Sequence, residues 1–593
     1  MGFRRRPIAL LLLGITLFLL IRKFLSILRT ERLGSIPASF DIPDEQPRPQ
    51  DGFSSHANGI VIMLPDTGRL QNPRIQHKFP AETAKEQQTR LTRLDQIKEA
   101  TLHAWTGYRK HAWTKDELMP VTGGHRTTLG GWGATLIDSL DTLWLMGLKD
   151  EFEEAVQAAA TIDFDESATI PVNVFETTIR YLGGLLGAYD VSGGKYPILL
   201  RKALEVGDML YLAFDTPSRM PITRWSKIGV EVAGGDTVVA ELGTLTIEFT
   251  RLTQLTGDNK FYDAVQRIAD CFEQQQGNTR VPGLFPHTVN ARDCWFADGV
   301  TFSIGGSADS VYEYFPKQHQ LLRGATGQYK RMYETARDPL NKYLLSKPST
   351  PSGHDMLLAG IYKSYANGRK EFIPEVHHLS CFAGGMFALA SRLFEQPQDL
   401  DTAKQLVQGC IWGYNQTVTG IMPERFRFLP CATTDDDSAC AWDEQAWTKL
   451  LLKHSSELSI NERALSAEDR LVILSQRLGL PKGIPDVVSP EYYLRPEAIE
   501  AIFVLYRVTG DESLRETAWV MFENLVRHTR TEFGFSSIRD VTKPDSAKLD
   551  RMESFWIAET LKYFYLLFSD PGVISLDDFV LNTEGHPFRV LTT

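Results

Sequence analysis

Residues 495–512 read RPEAIEAIFVLYRVTGDE, and this stretch contains the pattern that decides the fold. Apolar side chains recur at Ile499, Ile502, Phe503 and Tyr506, which is the spacing of one buried face of a helix. A glycine turn ends this helix, and charged residues open the next one. The stretch therefore predicts a pair of helices joined by a short turn.

The same turn between two apolar helical segments recurs along the chain. It is found at residues 147–152, 256–261, 326–329 and 509–512. Repeated helical hairpins must stack to bury their apolar faces, which gives either an open solenoid or a closed ring. Irregular spacing and long glycine-rich loops favour the ring. We expect an all-α body at residues 91–593, with an insertion at about 428–485 where the rhythm breaks.

The overall composition is that of a globular protein. The chain has 593 residues, of which 43% are hydrophobic and 23% are charged, so a large core can form. The net charge of -11 argues against nucleic acid as the partner, because phosphate backbones attract basic surfaces. A neutral substrate fits this charge better.

The N-terminus predicts a membrane anchor. Arg4, Arg5 and Arg6 precede an apolar run at 7–21, which is followed by Arg22 and Lys23. No small residues follow the run to form a cleavage site, which favours an uncleaved anchor over a cleaved signal peptide or a plain apolar helix. We expect a cytoplasmic tail at 1–6, a membrane span at 7–28 and a lumenal body, because basic residues stay in the cytoplasm. The polar, proline-containing stretch at 29–90 predicts a flexible stem.

Six cysteines fit an oxidising lumen. Cys381 and Cys410 flank a helical stretch, and Cys431 and Cys440 bound a short polar loop. Six cysteines allow about fifteen pairings, so the residues alone leave the connectivity open. Asn415 opens an N-glycosylation sequon with Thr417, although such tripeptides also occur by chance.

Four carboxylates share one local setting, directly after a glycine- or proline-containing loop and in the first turn of a predicted helix. They are Glu176, Asp309, Glu497 and, as a possible fourth, Glu424. In a ring of helices these carboxylates would gather at one rim. A simpler interpretation of each is helix capping, since Asn173 and Glu176 have capping-box spacing and acids complement the helix dipole.

The surrounding sequence favours a functional interpretation. The carboxylates lie in apolar and aromatic sequence, where ionised groups are costly unless they are paired, bind metal or take part in chemistry. Glycoside cleavage requires two carboxyl groups whose pKa values are pushed apart, one protonated and one ionised. Two further segments agree: residues 552–563 place acids and aromatics on a helix, and residues 582–587 concentrate oxygen ligands suited to calcium in a loop. The simpler interpretations are an amphipathic core helix for the first and a plain turn for the second.

At these residues the chain resembles glycoside hydrolase family 47, the class I α-1,2-mannosidases, from about residue 95 to 590. The segments that carry the resemblance are 135–144 (TLIDSLDTLW), 175–180 (FETTIR), 240–245 (AELGTL), 308–310 (ADS), 378–382 (HLSCF), 495–497 (RPE) and 582–584 (NTE). The resemblance implies an (α/α)7 barrel, a type II membrane topology with a stem in the endoplasmic reticulum or Golgi, and hydrolysis with inversion.

The resemblance also implies roles for single residues. Glu176 would be the general acid, acting directly or through a water, and Glu497 the base that activates the attacking water. Asp309 and Glu424 match the other carboxylates that the family counts as catalytic. The positions expected to bind the sugar are Arg180, Arg495, His378, Glu500, Glu559 and Phe555, the last of which packs beneath the terminal mannose.

A calcium ion is the cofactor that the resemblance implies. Its direct ligands would be the hydroxyl and carbonyl oxygens of Thr583, with waters held by Glu500, Glu559 and Glu584. Cys381 and Cys410 match the family's disulfide. Endoplasmic-reticulum-type members carry an arginine where this chain has Ser307, which leaves the preferred mannose branch and the choice of compartment open.

We therefore expect a monomeric exo-mannosidase that acts on high-mannose N-glycans of glycoproteins. The alternative is a glycan-binding quality-control module on the same barrel with little turnover. A helical solenoid scaffold is a third class, and it would need no clustered acids.

Overall fold

The computed structural model describes residues 60–68, 70–165, 171–226, 235–353, 355–431 and 440–590. The predicted tail, the predicted membrane span at 7–28 and the stem up to residue 59 lie outside the described residues. Within these ranges, no helix combines the length and the apolar character that crossing a membrane requires.

The body is built from helix pairs that close into a ring. In each pair an inner helix packs against an outer one, and the inner helices contact one another in chain order. The last inner segment contacts the first, which closes the barrel. The seven pairs, inner helix first, are Leu140–Leu145 with Lys149–Ala160, Gly183–Val191 with Pro197–Tyr211, Thr246–Thr256 with Asn259–Gln275, Asp309–Leu321 with Gln328–Pro339, Phe382–Leu393 with Pro397–Asn415, Glu497–Thr509 with Ser513–Thr529, and Leu561–Phe568 with Ala84–His111.

Two inner helices matter most for the site: α1 (Asp309–Leu321) and α2 (Glu497–Thr509). Helix α2 begins directly after Pro496 and ends at Gly510, whose φ of 75° is in the left-handed region that favours glycine. All but the last of its residues are buried, because an inner helix contacts its partner, its ring neighbours and the barrel interior. The sequence prediction for this hairpin is confirmed.

Shorter helical segments complete the chain. They are the α-helices Ala134–Asp138, Val174–Glu176, Val239–Gly243, Glu444–Leu451, Ile460–Arg463 and Ala467–Leu478, the π-helices Thr177–Leu182, Leu340–Leu344 and Trp556–Thr560, and the 3-10 helices Leu212–Phe214, His378–Cys381 and Leu452–Glu457.

Short antiparallel strands connect the helices at the ends of the barrel. The three-stranded sheets are Glu375–His377, Arg425–Arg427 and Asp486–Ser489, and Thr301–Phe302, Ile361–Ser364 and Lys370–Ile373. The two-stranded sheets are Glu117–Met119 with Gly124–Arg126, Val172–Asn173 with Arg224–Trp225, Asp236–Val238 with Thr288–Asn290, Leu345–Ser346 with Leu358–Ala359, and Phe579–Leu581 with Pro587–Arg589.

The last of these sheets, β1 (Phe579–Leu581) and β2 (Pro587–Arg589), is a hairpin near the C-terminus. Its turn contains Thr583. The amide of Thr583 donates to the Tyr314 hydroxyl, 3.1 Å away on α1. The hairpin therefore projects its turn into the barrel, beside the inner helices.

The predicted stem is wrong at its C-terminal end. Helix Ala84–His111 begins inside the range 29–90, with Thr83 and Glu86 forming a capping box. Residues 60–68 and 70–83 also contact the barrel, as when the amide of Ile62 donates to Asp263 at 2.9 Å. The exposed first turns of this helix are polar, and their sequence therefore lacks the apolar period that marks a buried face.

The predicted insertion forms a small helical lobe between strands Arg425–Arg427 and Asp486–Ser489. Leu451, Leu458 and Leu474 pack as its own apolar cluster. The Cys381–Cys410 disulfide expected from the resemblance is present. The two further pairs are Cys271–Cys294 and Cys431–Cys440, which resolves the pairing that the residues alone left open.

Candidate active site

A pocket of about 360 Å³ opens at the end of the barrel where the inner helices α1 and α2 begin. Both helices start with a carboxylate, Asp309 and Glu497, as the sequence pattern predicts. Ten of the expected site residues line the pocket together: Glu176, Arg180, Asp309, Arg495, Glu497, Glu500, Phe555, Glu559, Thr583 and Glu584.

Glu176 is held by an ion pair rather than by a capping box. The amide of Glu176 donates to the Asn173 side chain at 3.2 Å, so Asn173 caps the helix. The Glu176 carboxylate turns away from this cap and accepts a bond from Arg180 Nε at 2.8 Å. Capping therefore accounts for Asn173 but leaves the carboxylate of Glu176 on the pocket wall.

Glu497 is held in its ionised form. Burial alone would raise the pKa of Glu497, but the hydrogen bond with His378 and the positive charge of Arg495 outweigh it and lower this pKa below its usual value. His378 Nδ1 lies 2.8 Å from Glu497 Oε2, and Arg495 Nη1 lies 3.7 Å from Glu497 Oε1. A carboxylate that is ionised at neutral pH can accept a proton from water.

Asp309 has the opposite environment. Burial raises the pKa of Asp309 to about 7, and the negative charges of Glu313 and Glu497 add to the effect, although the Ser310 amide opposes it. Asp309 and Glu497 are thus two carboxyl groups in one pocket with pKa values pushed in opposite directions. This is the arrangement that acid–base cleavage of a glycoside needs.

Two expected residues lie behind the pocket wall instead of lining it. Glu424 accepts a bond from Arg495 Nε at 2.6 Å, and His378 has no exposed surface. Glu424 directly precedes strand Arg425–Arg427, so the prediction that it stands in the first turn of a helix is wrong, whereas His378 begins the 3-10 helix His378–Cys381. Glu424 contacts Arg495 and His378 contacts Glu497, so both side chains adjoin residues that line the pocket.

The floor of the pocket is rich in oxygen atoms. Thr583 Oγ1 donates to Glu313 Oε2 at 2.9 Å, and Glu500, Glu559 and Glu584 line the same floor. Burial raises the pKa of Glu500 and of Glu584 to about 8, and that of Glu559 well above its usual value. So many buried carboxylates favour a bound cation, since repulsion between them otherwise drives protonation.

This floor fits a calcium ion in the way that the resemblance implies. Within the described ranges, no three His, Cys, Asp or Glu side chains are grouped closely enough to hold a metal themselves. Thr583 supplies oxygens that such a group lacks, and carboxylates further away can hold waters. One buried oxygen of Glu559 has no hydrogen-bond partner among the described residues, which leaves it available to such a water.

Sequence reasoning missed Glu313 and Lys317. Both lie on α1, one and two turns after Asp309, so the helical spacing was a usable signal. Lys317 Nζ contacts the Glu313 carboxylate and lies 3.3 Å from Glu500 Oε1. A buried ammonium here offsets part of the negative charge beneath the pocket.

Arg180 connects the wall of the pocket to its floor. Besides Glu176, its guanidinium donates to Glu584 at 2.7 Å and to Ser554 at 3.2 Å. The guanidinium also lies 5.6 Å from the ring centre of Phe555. The aromatic ring is half-buried on the pocket surface, where a sugar ring can stack on it.

Ser307 lies on the pocket wall just before Asp309. Its φ of 85° is in the left-handed region, and its carbonyl accepts a bond from the Ala240 amide at 3.0 Å. The small side chain at this position leaves space in the pocket. Asn415, the sequon residue, is exposed at the end of helix Pro397–Asn415.

Comparison with known proteins gives one consistent result. The model of glycosyl hydrolase family 47 matches residues 100–590. A mannosyl-oligosaccharide 1,2-α-mannosidase of Arabidopsis thaliana is 34% identical over 84% of this chain and 79% of its own length. The endoplasmic reticulum mannosyl-oligosaccharide 1,2-α-mannosidase of Homo sapiens is 36% identical over 83% of this chain and 63% of its own. Among solved structures, the α-1,2-mannosidase from Trichoderma reesei superposes with a TM-score of 0.71, at 31% identity, over 84% of this chain and 99% of that one.

Proposed function

The chain belongs to glycosyl hydrolase family 47, and from that membership we propose that it removes terminal α-1,2-linked mannose from high-mannose N-glycans. The observation that carries the proposal is the pair Asp309 and Glu497, whose pKa values are raised to about 7 and lowered, respectively, in one pocket. A glycan-binding module without turnover would have no need for such a pair.

We propose that the reaction inverts the anomeric centre. Glu497 accepts a proton from the attacking water, and the leaving oxygen receives a proton on the other face of the sugar. Glu176 is the acid that the family resemblance assigns, acting directly or through a water. Asp309 is a second candidate for the acid, favoured by its raised pKa.

Arg180, Arg495 and Phe555 would orient the sugar. The ring of Phe555 offers an apolar face, and the two guanidinium groups offer fixed donors for hydroxyls. Arg495 is itself fixed by Glu424, so its donors point in a constant direction. Glu500 and Glu559 present further acceptors at the same end of the pocket.

Thr583 and the carboxylates around it would hold calcium, with Glu500, Glu559 and Glu584 acting through waters. When bound, the ion supplies positive charge and coordination sites for sugar hydroxyls. Thr583 is kept in place for this role by Tyr314 and Glu313.

We propose that the protein works in the secretory pathway, as a type II membrane protein with a lumenal barrel. The three disulfides support an oxidising compartment. The basic tail and apolar run at the N-terminus support the anchor. Glycoproteins with high-mannose glycans would be its partners, and it would act as a monomer.

The test is incubation of the purified full-length protein in detergent with a Man9 glycan, with the products read by mass. Successive loss of hexose is expected from the wild type. The matched control is Glu497→Gln, which keeps the shape of the side chain and should lower kcat by roughly 10³-fold. Glycan binding without any hexose loss in the wild type would favour the quality-control alternative. Absence of both binding and hexose loss would favour a scaffold protein.

A further inference from the structure

Residues 70–79, called the strap below, lie in the range that the sequence predicts to be a flexible stem. They form neither helix nor strand. Nevertheless, Ile75 and Gln76 are only 1% and 9% exposed, so the middle of the strap is buried in the barrel. An extended segment that buries an amide side chain must have its polar atoms satisfied.

One loop, residues 571–578, provides most of the hydrogen bonds to the two buried strap residues Ile75 and Gln76. The amides of Ile75 and Gln76 donate to Asp577 Oδ1 at 2.7 and 3.1 Å. Gln76 Nε2 donates to the Pro571 carbonyl at 2.9 Å, and Gln76 Oε1 accepts from the Leu576 amide at 3.1 Å. The strap thus contacts both the first residue of the loop, Pro571, and residues near its end, Leu576 and Asp577.

Helices of the ring hold both the strap and the loop. On α2, the buried Arg507 donates to Gln76 Oε1 at 3.1 Å and to the carbonyls of Pro571 and Val573. On α1, Gln320 Nε2 donates to the Leu576 carbonyl at 2.6 Å, and its backbone carbonyl accepts from Asn72 at 2.9 Å.

This contact lies at the end of the barrel opposite the pocket mouth. Gln320 and Arg507 are near the C-terminal ends of α1 and α2, whereas Asp309 and Glu497 begin these helices. The loop 571–578 leads directly into strand β1 of the C-terminal hairpin, and Thr583 follows two residues after that strand. The strap is therefore hydrogen-bonded to the loop that leads into this hairpin, and the turn of the hairpin reaches the pocket floor.

We propose that the strap positions Thr583: by fixing the loop 571–578, it sets how far the hairpin reaches into the barrel and so tunes the affinity of the pocket floor for a divalent cation. Gln76 and Asp577 are the positioning residues. The proposal deepens the calcium site proposed above and rests on it for the identity of the ion. A site held rigid before binding loses less entropy when the ion arrives.

The test uses full-length Gln76→Ala and Asp577→Ala, each with two readouts. In protein stripped of metal, amide hydrogen exchange at residues 579–589 should rise by about tenfold. The Kd for calcium, measured by titration, should rise by about tenfold as well. Asp577→Asn keeps an acceptor for the two amides and should restore both values. Asn259→Ala is the matched control, because Asn259 accepts a bond from the amide of Leu64, which lies upstream of the strap.

A purely structural role would lower the melting temperature equally with and without calcium, and would leave the exchange of the hairpin and the calcium Kd as in Asn259→Ala. That result overturns the proposal. If the wild type binds no calcium, the proposed ion is wrong, and the hydrogen exchange of the metal-free hairpin still decides whether the strap positions it. Should Gln76→Ala fail to fold, Asn72→Ala removes a single strap bond and is measured in the same way.

Discussion

His378 Nδ1 lies 2.8 Å from Glu497 Oε2. The other ring nitrogen, Nε2, lies 2.9 Å from the Tyr414 hydroxyl. The tautomer with its proton on Nδ1 satisfies both contacts, because it donates to the carboxylate and accepts from the tyrosine. The histidine thus contacts Glu497 from behind and does not itself line the pocket.

Replacing this histidine should change the pH dependence of the reaction. Without His378, the effect of burial on Glu497 is opposed by Arg495 and a backbone hydrogen bond alone, so the pKa of Glu497 should rise toward or above its usual value. A base must be ionised, and activity is then lost as pH falls through a higher pKa. We expect His378→Ala to lower kcat at pH 5 about tenfold more than at pH 7. Tyr414→Phe keeps the histidine in place and is the control; parallel profiles for wild type and His378→Ala would contradict this role.

The raised pKa of Asp309 leads to a prediction for the alkaline side of the pH dependence of kcat. Its pKa is raised to about 7, so its proton is fully present well below that pH and is lost as pH rises through it. If Asp309 is the acid, kcat falls above about pH 7 in the wild type, and the residual activity of Asp309→Asn lacks this fall. Glu176→Gln should keep it. An alkaline limb that persists in Asp309→Asn but disappears in Glu176→Gln would identify Glu176 as the acid.

The helix pairs were predictable because their evidence is local. The apolar period of residues 499–506 and the glycine turn at 510 define a hairpin without knowledge of the rest of the chain. Ring closure depends on contacts between helices far apart in sequence, so composition and periodicity only favoured it. The strap was missed for a related reason, since Gln76 is buried by polar contacts with residues about 500 positions away.

The site shows the same division between local and distant information. Asp309 and Glu497 stand at helix starts, a feature visible in the sequence. Their different pKa values come from the neighbours that the fold supplies, such as His378 beside Glu497. For the same reason the sequence could not place Glu424 behind Arg495, because that arrangement depends on a contact between residues 71 positions apart.

The Cys381–Cys410 disulfide should stabilise the helical segment His378–Cys381, which contains His378. It joins residues 29 positions apart, at the start of helix Phe382–Leu393 and near the end of helix Pro397–Asn415. Replacing both cysteines by serine should lower the free energy of unfolding by about 2–4 kcal/mol, read from denaturant titration. The double variant at Cys431 and Cys440, 9 positions apart, releases a shorter loop and should lose less. Equal losses would show that loop length does not govern the effect here.

The N-terminal anchor makes a separate prediction. Residues 1–28 should remain on the mature protein and hold it in membranes through an alkaline carbonate wash. A variant that begins at residue 60 keeps the strap and should be released from membranes with an unchanged kcat on the Man9 glycan. Recovery of a wild-type chain that begins after the apolar run would show a cleaved signal peptide instead.

Removal of calcium is the sharpest test of the pocket floor. Four carboxylates, Glu313, Glu500, Glu559 and Glu584, line the pocket together with Thr583. Two cations contact them: Lys317 contacts Glu313 and Glu500, and Arg180 contacts Glu584. We expect EGTA to abolish turnover and to lower the melting temperature, since an ion at a hundred times its Kd stabilises the native state by about 2.7 kcal/mol.

Add-back separates calcium from magnesium. Calcium accepts six to eight oxygens in flexible geometry, as a threonine and several waters provide, whereas magnesium demands a strict octahedron. Both rate and melting temperature should return with calcium and not with magnesium. Thr583→Val keeps the shape of the side chain but lacks its hydroxyl, so its melting temperature should respond less to calcium than that of the wild type. Full activity of the wild type after verified loss of metal would show that turnover needs no ion, and it would overturn the proposed role of Thr583 as a ligand.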